Sequence, residues 1–402
     1  MSSAIQPVPP DPSTEGLAAI VLAAGYSWRM VEFKPLLPLG GAMALERSIG
    51  LFRAAGIAEV IVVLGHRADV LRPVAERSGA HCIVNQNFDQ GMYSSFVVGC
   101  RALSTAVEAA FVLPADTPLV RPTTVRQLAA AWATRHAGIL YPVFDGHRGH
   151  PPLIARNILA EIAGGEATGP LNAALERHET DAVDLQVADQ CIHLDMDTLD
   201  DYYTLVSLAP RQQIPTAAEC EAIFASRRMN AFVVRHSRKV AQVAHCIATA
   251  LLRSGFPLNL ELVQAGALLH DLAKGQQDHA AAGASILRSM DFPRVADIVA
   301  AHTDLEFSSA NLDESAIVYL ADKLVRGEDL VAIEQRFQPA LNRFATDPPA
   351  LQAAQRRMET GKSVIRAVES RLGASLSTVV HGNPASFIPS SETPIVQEAT
   401  KE

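Results

Sequence analysis

The spacing of apolar residues changes character once along the chain, and that change constrains the architecture more than any other feature. Up to about residue 205, short unbroken apolar runs at 18–24, 59–64, 81–84, 109–113 and 138–142 alternate with stretches spaced for helices at 45–55, 70–78, 93–103 and 123–134. Strands that alternate with helices predict a mostly parallel, doubly wound α/β sheet. Unbroken apolar runs fit strands covered on both faces. From 219 to about 344 the spacing is helical throughout, as in "MNAFVVRHSRKVAQVAHCIATALLRSG", "ELVQAGALLHDLAKG" and "DESAIVYLADKLVRG". Each of these stretches ends at a glycine, a common helix stop. This half shows no strand signal, so an all-α bundle is expected.

The predicted organisation is a disordered lead (1–16), an α/β domain (17–206), a linker (207–220) marked by "LAPRQQIPTAAE", a helical domain (221–345), a further helix (346–376) and a disordered tail (377–402). A length of 402 residues suits two or three domains. The net charge of -9 argues against a nucleic-acid surface. Five scattered cysteines form no C-x-x-C pair, which reads as reduced thiols without a structural zinc. The polar, proline-rich start has no apolar signal core, and no stretch reaches membrane-spanning length. A cytoplasmic protein without a membrane partner is expected.

The run 18–24 breaks at Gly25, and Arg29 and Lys34 follow before the next apolar stretch. A strand ending in a glycine loop leaves main-chain N–H groups free, and glycine lets the backbone approach a bulky anion. Arg29 and Lys34 supply full charge near a polyphosphate, and Lys34 can neutralise a leaving pyrophosphate. A tight turn with two solvated cations is the plainer alternative.

"LAAGYSWRMVEFKPLLPLGG" resembles the start of nucleotidyltransferases of the molybdopterin-guanine and molybdenum cofactor cytidylyltransferase type. "NQNFDQGMYSSFVVG", "FVLPADTPLV", "GHRGHPPLI" and "LDMDTLDDY" resemble later segments of that family in the same order. Val31 and Leu199 stand where the family has glycine and proline. The resemblance implies a Rossmann-like fold of the nucleotide-diphospho-sugar transferase type, in which an acceptor phosphate attacks the α-phosphate of a nucleoside triphosphate. It makes Asp116 a Mg²⁺ ligand, just past a strand's carboxyl end where α/β sheets place ligands. A turn or cap before Pro118 is the alternative. Asp197, with Asp195 as rival, is the second expected carboxylate, although either can cap the next helix. Mg²⁺ keeps several waters, so one or two carboxylates suffice. Within the family, the sequence Leu22-Ala23-Ala24-Gly25 goes with cytidine, so CTP is the expected nucleotide and a molybdopterin-like phosphate the expected acceptor, with a molybdoenzyme client downstream. Ser94 and Ser95 are candidates for nucleotide or pterin contact, or are first-turn helix residues. His150 either shapes the acceptor pocket or is a turn residue.

The second half carries His236, His270 with adjacent Asp271, His279, His302 and Asp322. Imidazole with carboxylate suits Zn, Mn or Fe, and six such groups can hold two metals with Asp271 as the bridge. Lys274 is placed on the His270–Asp271 helix face, where it can hold a phosphate oxygen. His245 is nine residues past His236, on the opposite helix face, and is excluded. A single helical histidine is more often a satisfied core or surface residue, but burying adjacent His and Asp without a metal is costly. The order H…HD…H…H…D, with "HDLAK", "HAAAGASIL", "AAHTD" and "YLADK", resembles the HD-domain metal-dependent phosphohydrolases. A bifunctional enzyme is the leading reading. A sugar-phosphate nucleotidyltransferase with the HD domain as a nucleotide-sensing module is the alternative.

Overall fold

The computed structural model describes residues 12–26, 33–165, 169–308 and 312–381. The chain divides into two compact units, one reaching to Arg228 and including Arg288–Phe292, the other beginning at Met229. The expected lead and tail lie mostly outside the described residues. Of them, Pro12–Thr14 form a 3-10 turn and Leu376–His381 a short helix.

In the first unit eight strands share one sheet: β1 (Leu17–Ala23), β2 (Glu59–Leu64), β3 (His81–Val84), β4 (Ala109–Pro114), β5 (Ile139–Phe144), β6 (His147–Arg148), β7 (Leu153–Ala155) and β8 (Ala182–Gln186). Their order is β8-β5-β7-β4-β1-β2-β3, with β6 paired to β5. The pairs β4-β1, β1-β2, β2-β3 and β8-β5 are parallel, whereas β7 runs antiparallel to both β4 and β5. The sheet is thus mostly parallel, as expected, with β7 inserted antiparallel and the short β6 antiparallel to β5. Three residues directly after a proline pair carry too little pattern to reveal β7.

Around the sheet lie α1 (Ala44–Ala54), α2 (Ala68–Arg77), α3 (Met92–Ala102), α4 (Pro122–Arg135), α5 (Arg156–Gly164) and α6 (Leu171–Glu176). Alternate side chains of β1 serve opposite faces, as strand geometry requires. Leu17, Ala19 and Val21 share a core with Phe52 of α1, Leu71 of α2 and Leu128 of α4. Ala18, Ile20 and Leu22 share the other with Phe96 of α3, Ile158 of α5 and Leu175 of α6. Truncating the fully buried Ile20 to alanine is expected to cost about 2–5 kcal/mol.

Helices α7 (Leu199–Leu208) and α8 (Ala217–Ser226) complete this unit. The structure differs here from the expected linker over 207–220. Thr216 caps α8 in a reciprocal box: its hydroxyl accepts from Glu219 N, and the Glu219 carboxylate accepts from Thr216 N at 2.9 Å. Glu219 is fully buried and also accepts from Arg121 Nη1 at 2.6 Å and Nη2 at 3.1 Å. The prolines of this stretch pointed to a break; the Thr216-x-x-Glu219 signature right after them was the stronger signal.

The second unit is mostly helical: α9 (Ala231–Arg253), α10 (Leu260–Leu269), α11 (His279–Ser289), α12 (Pro293–Ala301), α13 (Glu314–Lys323), α14 (Ile333–Arg343), α15 (Pro348–Leu372) and α16 (Leu376–His381). Asn230, Asn259, Asp313 and Asp347 cap α9, α10, α13 and α15 through their side chains. Helix α10 is buried along nearly its whole length and packs on α9, α12 and α13. The strandless expectation needs one correction: Val325–Arg326 and Asp329–Leu330 pair as a small antiparallel hairpin. Two residues per strand give no readable period. Among the described residues, no helix is long and apolar enough to cross a membrane.

Candidate functional sites

The register of β1 and β4 builds the first site. Leu22 stands opposite Val63 on one side and Pro114 on the other, and Ala115 N donates to Leu22 O at 3.0 Å. The carboxyl ends of both strands therefore open into one cavity of about 320 Å³. Leu22, Ala23, Ala24, Gly25, Lys34 and Asp116 all line it. Its far wall includes Phe88, Asp89, Gly91 and Ser95. Ala24 O accepts from His66 N at 3.1 Å, which draws the next loop against β1. Gly65 is required at that approach, because a Cβ there would meet Phe88 Cβ at 2.6 Å and Ala24 O at 2.8 Å.

Lys34 lies in a 3-10 turn and is buried, and its Nζ donates to Asp197 Oδ1 at 2.8 Å. Burial raises the Asp116 carboxyl above its usual range; Lys34 opposes the shift and the charges of Asp195 and Asp197 add to it. One cation and three carboxylates thus interact at the strand ends. Neither Asp195 nor Asp197 caps α7: Thr198 is the N-cap, paired with Asp201. An all-oxygen donor set of this kind fits Mg²⁺. Arg29 and Val31 lie outside the described residues.

The two serines divide. Ser95 lines the cavity, while the Ser94 hydroxyl donates toward Gly91 O at 2.8 Å and Asn87 O at 3.0 Å. Asn85 Nδ2 donates to both hydroxyls, at 2.8 and 3.0 Å. Asn85 escaped the sequence reading, although it opens the quoted "NQNFDQGMYSS" segment. Tyr26 was also missed. Its ring packs 5.0 Å from His66 and 5.2 Å from Phe88, forming an aromatic wall from three distant stretches of chain. His150 precedes Pro151 in a cis peptide and is not among the residues lining the cavity.

The second site gathers all six expected groups of the helical unit. His236 projects from α9, His279 opens α11 and Asp322 lies in α13. His302 follows directly after α12. His270 and Asp271 are not on a helix, as the spacing had suggested: α10 stops at Leu269 and they occupy the turn beyond it. Lys274 comes from the same turn and reaches Asp271 Oδ2 at 3.1 Å.

Three histidines are oriented alike. The Nδ1 atoms of His236, His270 and His302 face the carbonyls of Gly327, Ala267 and Val299 at 2.9, 2.8 and 2.6 Å. Each Nδ1–H donates, which leaves each Nε2 as an acceptor aimed at the centre. Gly327 holds φ +65° at the hairpin turn, a conformation that glycine adopts without strain. The ligand atoms of His236, His270 and Asp271 lie within 4.8 Å of one another, and so do those of Asp271, His279 and His302. Asp271 therefore belongs to both triads. Asp322 Oδ1 lies 3.3 Å from His236 Nε2 and 3.7 Å from His270 Nε2. His245 stands apart, with Nε2 3.0 Å from Thr249 Oγ1.

The donor set fits transition-metal binding. His270 Nε2 is fully buried and makes no hydrogen bond, a costly state unless an ion fills the space. His279 Nε2 and His302 Nε2 face each other at 3.2 Å. Burial alone would raise Asp271, yet without an ion the protonated forms of His270, His279 and His302 hold it well below the usual carboxylate range. Burial likewise opposes ionisation of Asp322, and Lys323, His236 and His270 overcome it. Both carboxylates are thus kept charged.

Two folds and two sites define the class: a nucleotidyltransferase-type α/β unit joined to a histidine–aspartate helical unit. Residues 19–183 match the family described as MobA-like NTP transferase domain, and residues 233–327 match the HD domain. The chain therefore carries a nucleotidyltransferase domain of MobA-like type followed by an HD domain. Its first half is similar to the molybdenum cofactor cytidylyltransferase of Escherichia coli K12, 29% identical over 186 residues, which cover 46% of this chain and 93% of that protein. It is also similar to the nicotine blue oxidoreductase of Paenarthrobacter nicotinovorans, 28% identical over 199 residues, 47% of this chain and 96% of that one. Among solved structures, Rv0371c of Mycobacterium tuberculosis H37Rv is 26% identical with a TM-score of 0.43, covering 48% of this chain and 99% of that one.

Proposed function

We propose that the first unit transfers a cytidylyl group from CTP to a phosphorylated acceptor of the molybdopterin type, for later use by a molybdoenzyme. The observation that carries this reading is the buried Lys34, which lines the cavity with Asp116 where β1 and β4 end and pairs with the partly exposed Asp197. An acceptor phosphate oxygen attacks the α-phosphorus, the α–β P–O bond breaks, and pyrophosphate leaves. Asp116 and Asp197 would hold Mg²⁺, which supplies charge neutralisation on the triphosphate when bound. Lys34 adds a fixed positive charge near the departing phosphates. The end of β1 and the Ala24–Gly25 segment after it line the cavity and bring main chain close to a bound triphosphate. No protein nucleophile is needed, because positioning and charge account for such catalysis.

The second unit, in the same proposal, is a phosphohydrolase that uses one or two Mn, Fe or Zn ions. His236, His270, Asp271 and Asp322 form one pocket, and Asp271, His279 and His302 the other. Such ions supply hydroxide at neutral pH and charge stabilisation for phosphoester cleavage. Lys274, half-exposed above Asp271, is placed to engage a phosphate oxygen.

The test is direct. The full chain is mixed with Mg²⁺, CTP or GTP, and a molybdopterin source, and pyrophosphate and dinucleotide are measured. Pyrophosphate with CTP is the expected result. Silence with every pterin acceptor, together with turnover on a sugar 1-phosphate, would overturn the acceptor assignment. Asp116→Ala is expected to abolish transfer and spare hydrolysis of a nucleotide panel, and Asp271→Ala to do the reverse. Joint loss of both activities in folded variants would refute independent sites.

A further inference from the structure

We propose that Lys323 is a positioning residue of the histidine–aspartate centre. It occupies one oxygen of Asp322, so that Asp322 offers an ion the other oxygen alone, and it holds down the centre's affinity for divalent ions. This rests on reading that centre as a metal site.

The two oxygens of Asp322 have different surroundings. Oδ1 faces the imidazoles of His236 and His270. Oδ2 accepts from Lys323 Nζ at 2.6 Å. The same Nζ donates to His302 O at 3.1 Å and sits 4.8 Å from the centroid of the Tyr319 ring. Lys323 is 8% exposed and fixed from three sides, whereas the Lys274 side chain is 49% exposed and has room to withdraw. Lys323 also touches both halves of the centre, since Asp322 faces His236 and His270 of one triad and His302 belongs to the other.

Two effects follow from a buried ammonium at that place. It stabilises Asp322 while no ion is present, because a buried carboxylate without a partner is costly. It also repels an arriving cation, and burial leaves that repulsion poorly screened by water or salt. Lys323 thus substitutes for part of the ion's charge in the empty centre and weakens the ion's hold in the loaded one. A lysine that merely braced α13 would stabilise both states equally.

The experiment uses the metal-free full chain and Mn²⁺ alone, read by calorimetry and by thermal unfolding, for wild type, Lys323→Gln and Lys323→Met. Glutamine keeps a hydrogen-bond donor and removes the charge, so it reports even where the methionine variant fails to fold by circular dichroism. The expected result is a Mn²⁺ Kd at least tenfold tighter in the variants. The Mn²⁺-induced rise in Tm should also be larger than in wild type. An unchanged or weaker Kd, with Tm lowered equally with and without Mn²⁺, overturns the proposal. Absence of Mn²⁺ binding by the wild type would remove the metal reading as well. Wild-type binding with unaffected variants would remove the role of Lys323 alone.

Discussion

Arg121→Met probes how firmly the segment after α7 is built into the first unit. Arg121, Asp189 and Glu219 are 5%, 2% and 0% exposed, so the cluster is shielded from water. Arg121 Nε donates to Gln212 O, Nη1 to Asp189 Oδ1 and Glu219 Oε1, and Nη2 to Glu219 Oε2. Burial disfavours the guanidinium charge, but the two carboxylates more than restore it. Removing one partner of a buried ion pair typically costs about 3–5 kcal/mol. Here the stranded groups keep other donors: Thr216 N and Gln190 N for Glu219, and Thr124 Oγ1 and Cys191 N for Asp189. The lower end, about 3 kcal/mol, is therefore expected. For a unit of this size that corresponds to a fall in Tm of about 6–12 °C. Both tryptophans, Trp28 and Trp132, precede the second unit, so tryptophan fluorescence during urea or thermal unfolding of the full chain follows the first unit alone. Adding Glu219→Leu to Arg121→Met should recover part of the loss, because one stranded charge goes with it. A loss below about 1 kcal/mol, or a double variant weaker than the single, would refute the reasoning.

Three further outcomes are expected. Asp116 is held above its usual carboxylate range, chiefly by burial. Its folded-state value therefore exceeds the unfolded one, so its contribution favours folding at low pH and is lost as pH rises through that folded value. Mg²⁺-dependent CTP binding should run the other way, weakening on acidification at a pH above 3.8, and an Asp116→Asn variant without that pH dependence is the check. Gly65→Ala should cost about 1–3 kcal/mol by overpacking against Ala24 and Phe88 and should weaken nucleotide binding; an unchanged Tm with nucleotide affinity within about twofold would contradict the close approach. If the centre holds two ions as proposed, Asp271→Ala should remove both by elemental analysis and His279→Ala one; equal losses would deny Asp271 its shared place.

The sheet was readable because its central strands are short apolar runs between turn residues, and β2 and β3 fall where the pattern puts them. The hairpin at 325–330 and the antiparallel β7 are too short to leave a period. Local signals also competed: the prolines before α8 concealed its cap, and the helical spacing of α10 extended past Leu269 onto a turn. The histidines and aspartates of the second site were visible because their residue types and order are unusual in apolar, helix-spaced sequence, even where His270, Asp271 and His302 lie just past helix ends. The aromatic wall of Tyr26, His66 and Phe88 was not, since it takes the parallel pairing of β1 with β2 and of β2 with β3 to bring those rings together. Asn85 was likewise silent, because an amide joining two serines nine and ten residues later has no one-dimensional signature.

The main-chain anchors of His236, His270 and His302 carry a consequence for how such a site ages. Where an imidazole is steered by a neighbouring carboxylate, one codon change can release it. Here the steering atoms are carbonyls, which every amino acid possesses. The side chains at those positions do not themselves steer the rings, although the positive φ of Gly327 favours glycine there, and a rerouted backbone or loss of the histidines would dismantle the arrangement.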